Sequence, residues 1–289
     1  MRSFLLSVVL AVCGTFSFAQ TENTAPAVPD SVPAKSTLTL AAVYSNNASY
    51  YGQRAKDATP YAAVAASYQL KSGLYFSGQA FRLLNDNSFD ISAAGLGAGF
   101  NFPLAKKITA DISYSHSFYP SYSPLLQAAN ADGASLSLSR DGWIVINLTG
   151  DYAFGKINDA FATGAISKSI NLFSPGTKDV VSINPSADVV GGTQHFYQTY
   201  VTNKKLHDSL LGLPIPGLGN PGRGGESRTD TLVTTNFNIL SYNFKLPLSY
   251  SRSHYVLEAA WQLSLLSSYA ETSTGKTNSF LTFSFYYQF

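Results

Sequence analysis

Four histidines, 17 carboxylates and one cysteine are the side chains here that can attack, transfer a proton or hold a metal, and their spacing limits the chemistry open to them. His116 stands in Tyr114-Ser-His-Ser-Phe118. On an extended strand successive side chains point to opposite faces, so Ser117 lies across the sheet from His116 and Phe118 lies beside it. A serine nucleophile needs its base within hydrogen-bond reach, and this histidine lacks one on its own face. His195 and His207 are too far apart for a pair of ligands on one helix turn, His254 falls in a turn, and Cys13 sits in an apolar leader. The expectation is no metal, no cofactor and no catalysis.

The remaining polar chemistry recurs at every second position of otherwise apolar segments. In 108–118, Asp111 shares a face with Thr109, Ser113 and Ser115, opposite Ile108, Ala110, Ile112, Tyr114 and Phe118. In 143–154, Asn147, Thr149 and Asp151 oppose Ile144, Ile146, Leu148, Tyr152 and Phe154. Asn243 and Lys245 oppose Leu240, Tyr242, Phe244, Leu246 and Leu248, while Glu258 and Gln262 oppose Leu257, Ala259, Trp261, Leu263 and Leu265. Asp188 extends the polar set, and Arg82 has no assigned face. A charge facing lipid at mid-depth costs about 2–4 kcal/mol, whereas a wet interior tolerates it. Asp111, Asn147, Asp151, Asp188, Asn243, Lys245, Glu258 and Gln262 are therefore the candidates to line a lumen. They would form either an aqueous path with a weak acidic bias that favours cations, or a network of ion pairs and hydrogen bonds that fills a narrow barrel.

Elements of period two must position these residues. The pattern predicts strands at 37–45, 60–70, 74–84, 90–102, 108–118, 131–139, 143–154, 160–172, 180–194, 234–249, 255–266 and 279–289. The connections alternate in character. The even ones, at 71–73, 103–107, 140–142, 173–179 and 250–254, are short and rich in turn formers. Of the odd ones, 46–59, 119–130, 195–233 and 267–278 are long, and only 85–89 and 155–159 are short. Twelve strands satisfy this parity, with ten or fourteen as alternatives. Lys168 shares a face with Ile166 and Ile170, and the apolar face of 74–84 switches from Leu74 and Phe76 to Phe81 and Leu83. A bulge is expected at each, since one extra residue exchanges the faces. Pro185 and Pro247 fall inside predicted strands and count against those boundaries. The glycine-rich segment 195–233 lacks a phosphate-loop ending and is expected to be a surface loop, an inward constriction or a recognition lid.

Composition agrees with a membrane-facing sheet. Charged residues are 12% of the 289, against about 25% in ordinary globular domains, while Tyr and Phe number 18 and 19. A mean hydropathy of +0.02 follows from averaging apolar and polar faces. The formal charge of +2 is too small to indicate nucleic acid as a partner. Arg2, the apolar run 4–13 and Ser17-Phe-Ala19 form a secretory signal peptide covering 1–19. Val12 is bulky where lipidation of Cys13 wants a small residue. Residues 20–36, with Pro26, Pro29 and Pro33, read as a flexible periplasmic tether, leaving 37–289 for the barrel.

The last strand carries the most specific signal. Leu281, Phe283, Phe285, Tyr287 and Phe289 alternate with Phe280, Thr282, Ser284, Tyr286 and Gln288. Phe285, Tyr287 and Phe289 resemble the C-terminal signal by which Gram-negative outer-membrane barrels are recognised for assembly. Together with the leader, the low charge and the loop parity, this resembles the porin-like class of those proteins. The resemblance implies an all-β, transmembrane, antiparallel up-and-down barrel with short periplasmic turns and longer extracellular loops. It further implies outer-membrane lipid and lipopolysaccharide as surroundings, the barrel-assembly machinery as a biogenesis partner, and small polar solutes or ions as cargo. Some outer-membrane phospholipases carry a Ser two residues after a wall His; Phe118 occupies that position here, so the likeness fails at the nucleophile.

Overall fold

The computed structural model describes residues 35–85, 91–120, 123–155, 157–197, 236–270 and 275–289. The leader read at 1–19, the tether as far as residue 34 and loop residues 198–233 lie outside the described residues. The strands are β1 (Thr37–Ser45), β2 (Tyr61–Gln69), β3 (Leu74–Leu83), β4 (Ala93–Ala105), β5 (Ile108–Phe118), β6 (Asp132–Arg140) and β7 (Val145–Phe154). They continue with β8 (Asp159–Ser167), β9 (Ile170–Phe173), β10 (Asp179–Ile183), β11 (Ser186–Gly192), β12 (Asn238–Arg252), β13 (Tyr255–Leu266) and β14 (Thr277–Gln288). Each wall strand pairs antiparallel with its neighbour in sequence, and β1 pairs with β14, so the sheet has no free seam there. The pairing of β11 with both β8 and β12 completes the ring.

The wall therefore has twelve strands, although fourteen segments can be counted. β8 and β9 are two parts of one strand interrupted at Lys168 and Ser169, and β10 and β11 are two parts of the next, interrupted at Asn184 and Pro185. Residues Ile170–Phe173 pair with Asp179–Ile183, which in turn pairs with the far end of β12. The two prolines explain each other. Asn184 donates its backbone N–H to the Pro247 carbonyl, 3.2 Å. In an antiparallel pair a residue's N–H and C=O point to the same neighbour. Pro247 thus turns its missing donor toward the interruption at Asn184–Pro185, where no ladder bond is lost, and β12 runs through it.

Two expected bulges are absent. β3 pairs with β2 and β4 in unbroken register, so Phe81 and Leu83 point inward, where both are buried. Arg82 between them has the outward parity. At Lys168 the strand breaks instead of bulging, and its ammonium lies 3.6 Å from the centroid of the Trp143 ring. A bulge does occur where none was expected: the register between β11 and β12 shifts at Val190/Gly191. The extra residue on β12 is Leu240, which is consequently turned inward and fully buried rather than facing out with Tyr242 and Phe244.

The outer surface is a continuous apolar band. Val64, Leu96, Ile112, Leu148, Leu246, Trp261 and Phe283 are all exposed on it. Such a surface far exceeds the apolar patch a water-soluble monomer carries, and hydrocarbon is the solvent it suits. The backbone N–H of Phe289 donates to the Leu38 carbonyl, 2.9 Å, fastening the chain end to β1. The connections β2–β3, β4–β5, β6–β7, β9–β10 and β12–β13 are all short and lie at the end that also holds the start of β1 and the end of β14, hereafter the turn end. The buried apolar clusters sit inside the opposite, loop end, around Tyr50, Phe161, Val190 and Phe196 on one side and Tyr61, Phe81, Leu83 and Leu125 on the other.

Candidate functional site in the lumen

Every polar residue read as a lumen candidate lies on the inner parity of its strand, and most are engaged with neighbours. Asp111 Oδ1 accepts a hydrogen bond from Tyr75 Oη, 3.0 Å. The Tyr75 ring passes over Gly99, whose missing side chain makes room for it. Asn243 Nδ2 donates to Asp188 Oδ1, 2.6 Å, across the β11–β12 ladder. Glu258 Oε2 accepts from Ser249 Oγ, 2.9 Å, and Gln262 Nε2 donates to Ser264 Oγ, 2.8 Å. Asn147 and Lys245 are buried, and the Lys245 charge acts on both Asp188 and Glu258. Thr39, Ser67, Thr163, Ser167, Ser186, Ser249 and Ser284 complete a lining of short polar side chains.

The loop-end half is filled from above by the loop 46–59, a role that sequence reasoning assigned to none of its residues. Its neck is a polar clamp: Asn47 Oδ1 accepts from Thr59 N, 3.0 Å, and Thr59 Oγ1, 2.8 Å, while Thr59 Oγ1 accepts from Ala48 N, 3.1 Å. Its tip is a two-residue reversal. Tyr50 N donates to Gln53 O, 2.8 Å, and Gln53 N donates to Tyr50 O, 3.0 Å. Tyr51 and Gly52 between them have φ of 51° and 80°. Two successive positive φ values define a type I′ turn, which is natural for Gly52 and unfavourable for a tyrosine.

Contacts below the tip hold that conformation. The Tyr51 ring stacks on Phe161 with centroids 3.8 Å apart and planes 18° apart. Its hydroxyl donates to Asp151 Oδ2, 3.2 Å. The Tyr51 carbonyl accepts from Ser241 Oγ, 2.9 Å, and the Gly52 carbonyl from Asn278 Nδ2, 2.9 Å. Arg54 Nε donates to Asn278 Oδ1, 3.2 Å. A Cβ on Gly52 would fall 2.7 Å from Asn243 Oδ1 and 2.9 Å from Ser241 Cβ. The tip thus fits only without a side chain at that position. Tyr50 meets Tyr51, Phe161 and Phe196 edge-on. Burial first, and the nearby Asp151 charge second, push the Tyr51 phenol well above its ordinary pKa, so it stays a donor.

Two further segments close over the tip. Leu125 and Leu126, at the start of a short 3₁₀ turn (Leu126–Ala129), are buried there. Asp159, itself buried, accepts from Thr193 Oγ1, 2.6 Å, His195 N, 2.9 Å, and Phe196 N, 2.9 Å. The first residues of the long loop are thereby turned inward. His195 Nδ1 also lies 3.1 Å from Asp159 Oδ1, so this histidine is part of a loop anchor. His116 lies on the outer face, away from the lumen. No cluster of three potential metal ligands exists among the described residues. The sequence signal that could have found the tip is Ser49-Tyr-Tyr-Gly-Gln53, two aromatics beside a glycine in an otherwise polar loop.

No protein-family model matches the chain, and no curated protein matches its sequence. Among solved structures, it is similar to the KdgM porin at 9% identity and a TM-score of 0.45, covering 88% of this chain and 99% of that one. It is similar to the COG4313 outer membrane channel from Pseudomonas putida F1 at 12% identity and 0.44, covering 90% and 97%. It is also similar to LpxR from Salmonella typhimurium at 9% and 0.43, covering 87% and 99%. Likeness of that order says nothing of solute or activity. The closed twelve-strand wall, its apolar outer band and its polar inner face define the class: an outer-membrane-type β-barrel.

Proposed function

We propose that this protein is a passive outer-membrane channel for small polar solutes or ions, working without a cofactor. The observation that supports it is the inner face. Asp111, Asn147, Asp151, Asp188, Asn243, Lys245, Glu258 and Gln262 share the interior of a wall whose exterior is apolar. Charged groups taken out of water are costly unless paired or hydrated, and a barrel needing only a filled interior would be more stable with apolar side chains there. Residues in the turn-end half instead suit a wet path with a weak acidic bias. On this reading the turns face the periplasm, the long loops face outward among lipopolysaccharide head groups, and Phe285, Tyr287 and Phe289 are offered to the barrel-assembly machinery.

Planar-bilayer recording tests the reading. Purified protein should give discrete conductance steps, and Asp111→Asn combined with Asp151→Asn should lower cation preference. The inserted loop 46–59 favours a second reading, a closed barrel whose outer loops bind a partner. Persistent electrical silence of both wild type and loop-shortened protein would select it.

A further inference from the structure

The contacts of the loop 46–59 define a complementary cleft as well as a plug. Below the tip lie one flat aromatic face, Phe161, one carboxylate acceptor, Asp151, and two donors, the Ser241 hydroxyl and the Asn278 amide. The tip satisfies them with a ring laid on Phe161, a hydroxyl donated to Asp151, and two carbonyl oxygens. We propose that Tyr51 and Gly52 occupy a ligand site as an internal surrogate, and that the site takes a neutral, hydroxyl-rich ring such as a pyranoside. The proposal rests on the lumen being a solute path, and it names the class of solute that path selects.

The chemistry of each partner narrows the class. A pyranose ring can replace Tyr51 by laying its C–H face on the Phe161 ring, which an open-chain polyol cannot cover as one surface. A hydroxyl can replace the phenol at Asp151, and further hydroxyl oxygens can replace the two carbonyls at Ser241 and Asn278. Sites of this kind, an apolar platform with a few fixed polar groups, gain orientation from the polar groups and affinity from the platform. A carboxylate on the ring would approach Asp151 with like charge, and Asp188 lies hydrogen-bonded to Asn243 beside the Gly52 position. Acidic sugars are therefore rejected by repulsion rather than by size.

Because ligand and tip compete, the tip sets the apparent affinity. If the cleft is free one-tenth of the time, ligand binds about tenfold more weakly than to a cleft kept free. Two variants free it by different routes. Tyr51→Ala removes the stacked ring and its hydroxyl. Gly52→Ala introduces a side chain that cannot coexist with Asn243 and Ser241 in the docked position, and leaves every cleft residue intact.

Calorimetric titration of the detergent-solubilised full chain with methyl glucoside, methyl glucuronate and mannitol tests the proposal. Heat-dependent gel mobility confirms that each variant is a folded barrel. Methyl glucoside should bind Tyr51→Ala and Gly52→Ala at least tenfold more tightly than wild type, methyl glucuronate and mannitol should bind none of them, and Phe161→Leu added to Gly52→Ala should abolish binding. Equal affinity for wild type and both variants, no binding to any, or equal binding of methyl glucuronate would overturn it. Bilayer recording of the same samples separates the two ideas: sugar binding without conductance keeps the site and removes the channel, while conductance without sugar binding keeps the channel and removes the site.

Discussion

His116 and Asp132 face each other across the β5–β6 ladder, with Nδ1 and Oδ1 2.7 Å apart, on the lipid side of the wall at its loop end. The same carboxylate oxygen accepts from Tyr114 Oη at 2.6 Å. An outward carboxylate is unfavourable unless it lies near the interface or is paired, and here both conditions hold. His116 and Tyr114 account for the tolerance of Asp132.

That pairing makes an asymmetric prediction. His116→Ala leaves the carboxylate with the phenol alone and should destabilise the barrel by about 1 kcal/mol, since hydrogen bonds to charged groups exceed neutral ones while interfacial exposure moderates the loss. Asp132→Asn removes the charge and keeps an acceptor, and should cost about 0.5 kcal/mol or less. Urea unfolding in lipid vesicles measures both. A larger loss for Asp132→Asn than for His116→Ala would show that the pair is held for the histidine's sake instead.

Tyr51 gives the docked loop a pH limit. Burial, then the Asp151 charge, raises its phenol pKa when docked, and Tyr50 is raised in the same direction by burial and then Asp159. An undocked phenol titrates near 10. A group whose pKa is raised in the docked state contributes fully below the undocked pKa and loses that contribution as pH climbs above it. Docking should hold through pH 9 and weaken progressively above about pH 10. Hydrogen exchange of amides 48–55 reads this directly, and Tyr51→Phe should reduce the alkaline loss while leaving the Tyr50 part. Protection of these amides, taken relative to base-catalysed intrinsic exchange, that stayed constant up to about pH 11 would contradict the buried position of both rings.

The wall was legible in the sequence because lipid on one side and polar groups on the other force strict alternation. β1, β5 and β13 begin and end at the residues the pattern marks. Loop parity carried the strand count even where single strands were ambiguous. What was not legible depends on neighbours that alternation does not encode. Leu240 reads as outward until the register shift at Val190/Gly191 turns it in. Phe81 and Leu83 read as an error in face, yet they point inward because loop 46–59 and Leu125 give that part of the interior an apolar lining. Period two assigns faces by assuming a uniformly polar inside, and an inserted loop breaks that assumption. The long segment 195–233 drew attention through its glycines, while the shorter loop 46–59 enters the barrel through Tyr50, Tyr51 and Gly52.

Asp159 is the residue on which the inward turn of the later loop depends. It is 1% exposed and accepts from two backbone N–H groups and one hydroxyl, all between Thr193 and Phe196. Its position at the start of β8 fixes the exit of β11, because Thr193 N in turn donates to the Ala160 carbonyl, 3.0 Å. Asp159→Ala strands these donors and should cost about 2–3 kcal/mol of local order, the penalty for unsatisfied buried groups. Phe196 would then leave Tyr50 and Phe161, and Tyr50 at the tip of loop 46–59 would lose one of the three rings it meets edge-on. The expected outcome is faster hydrogen exchange at 193–197 and at 50–53, with protection of β5, β6 and β13 unchanged. Faster exchange at 193–197 alone would show that the two loops are anchored independently. Uniform loss of protection across the wall would show instead that Asp159 supports the barrel itself.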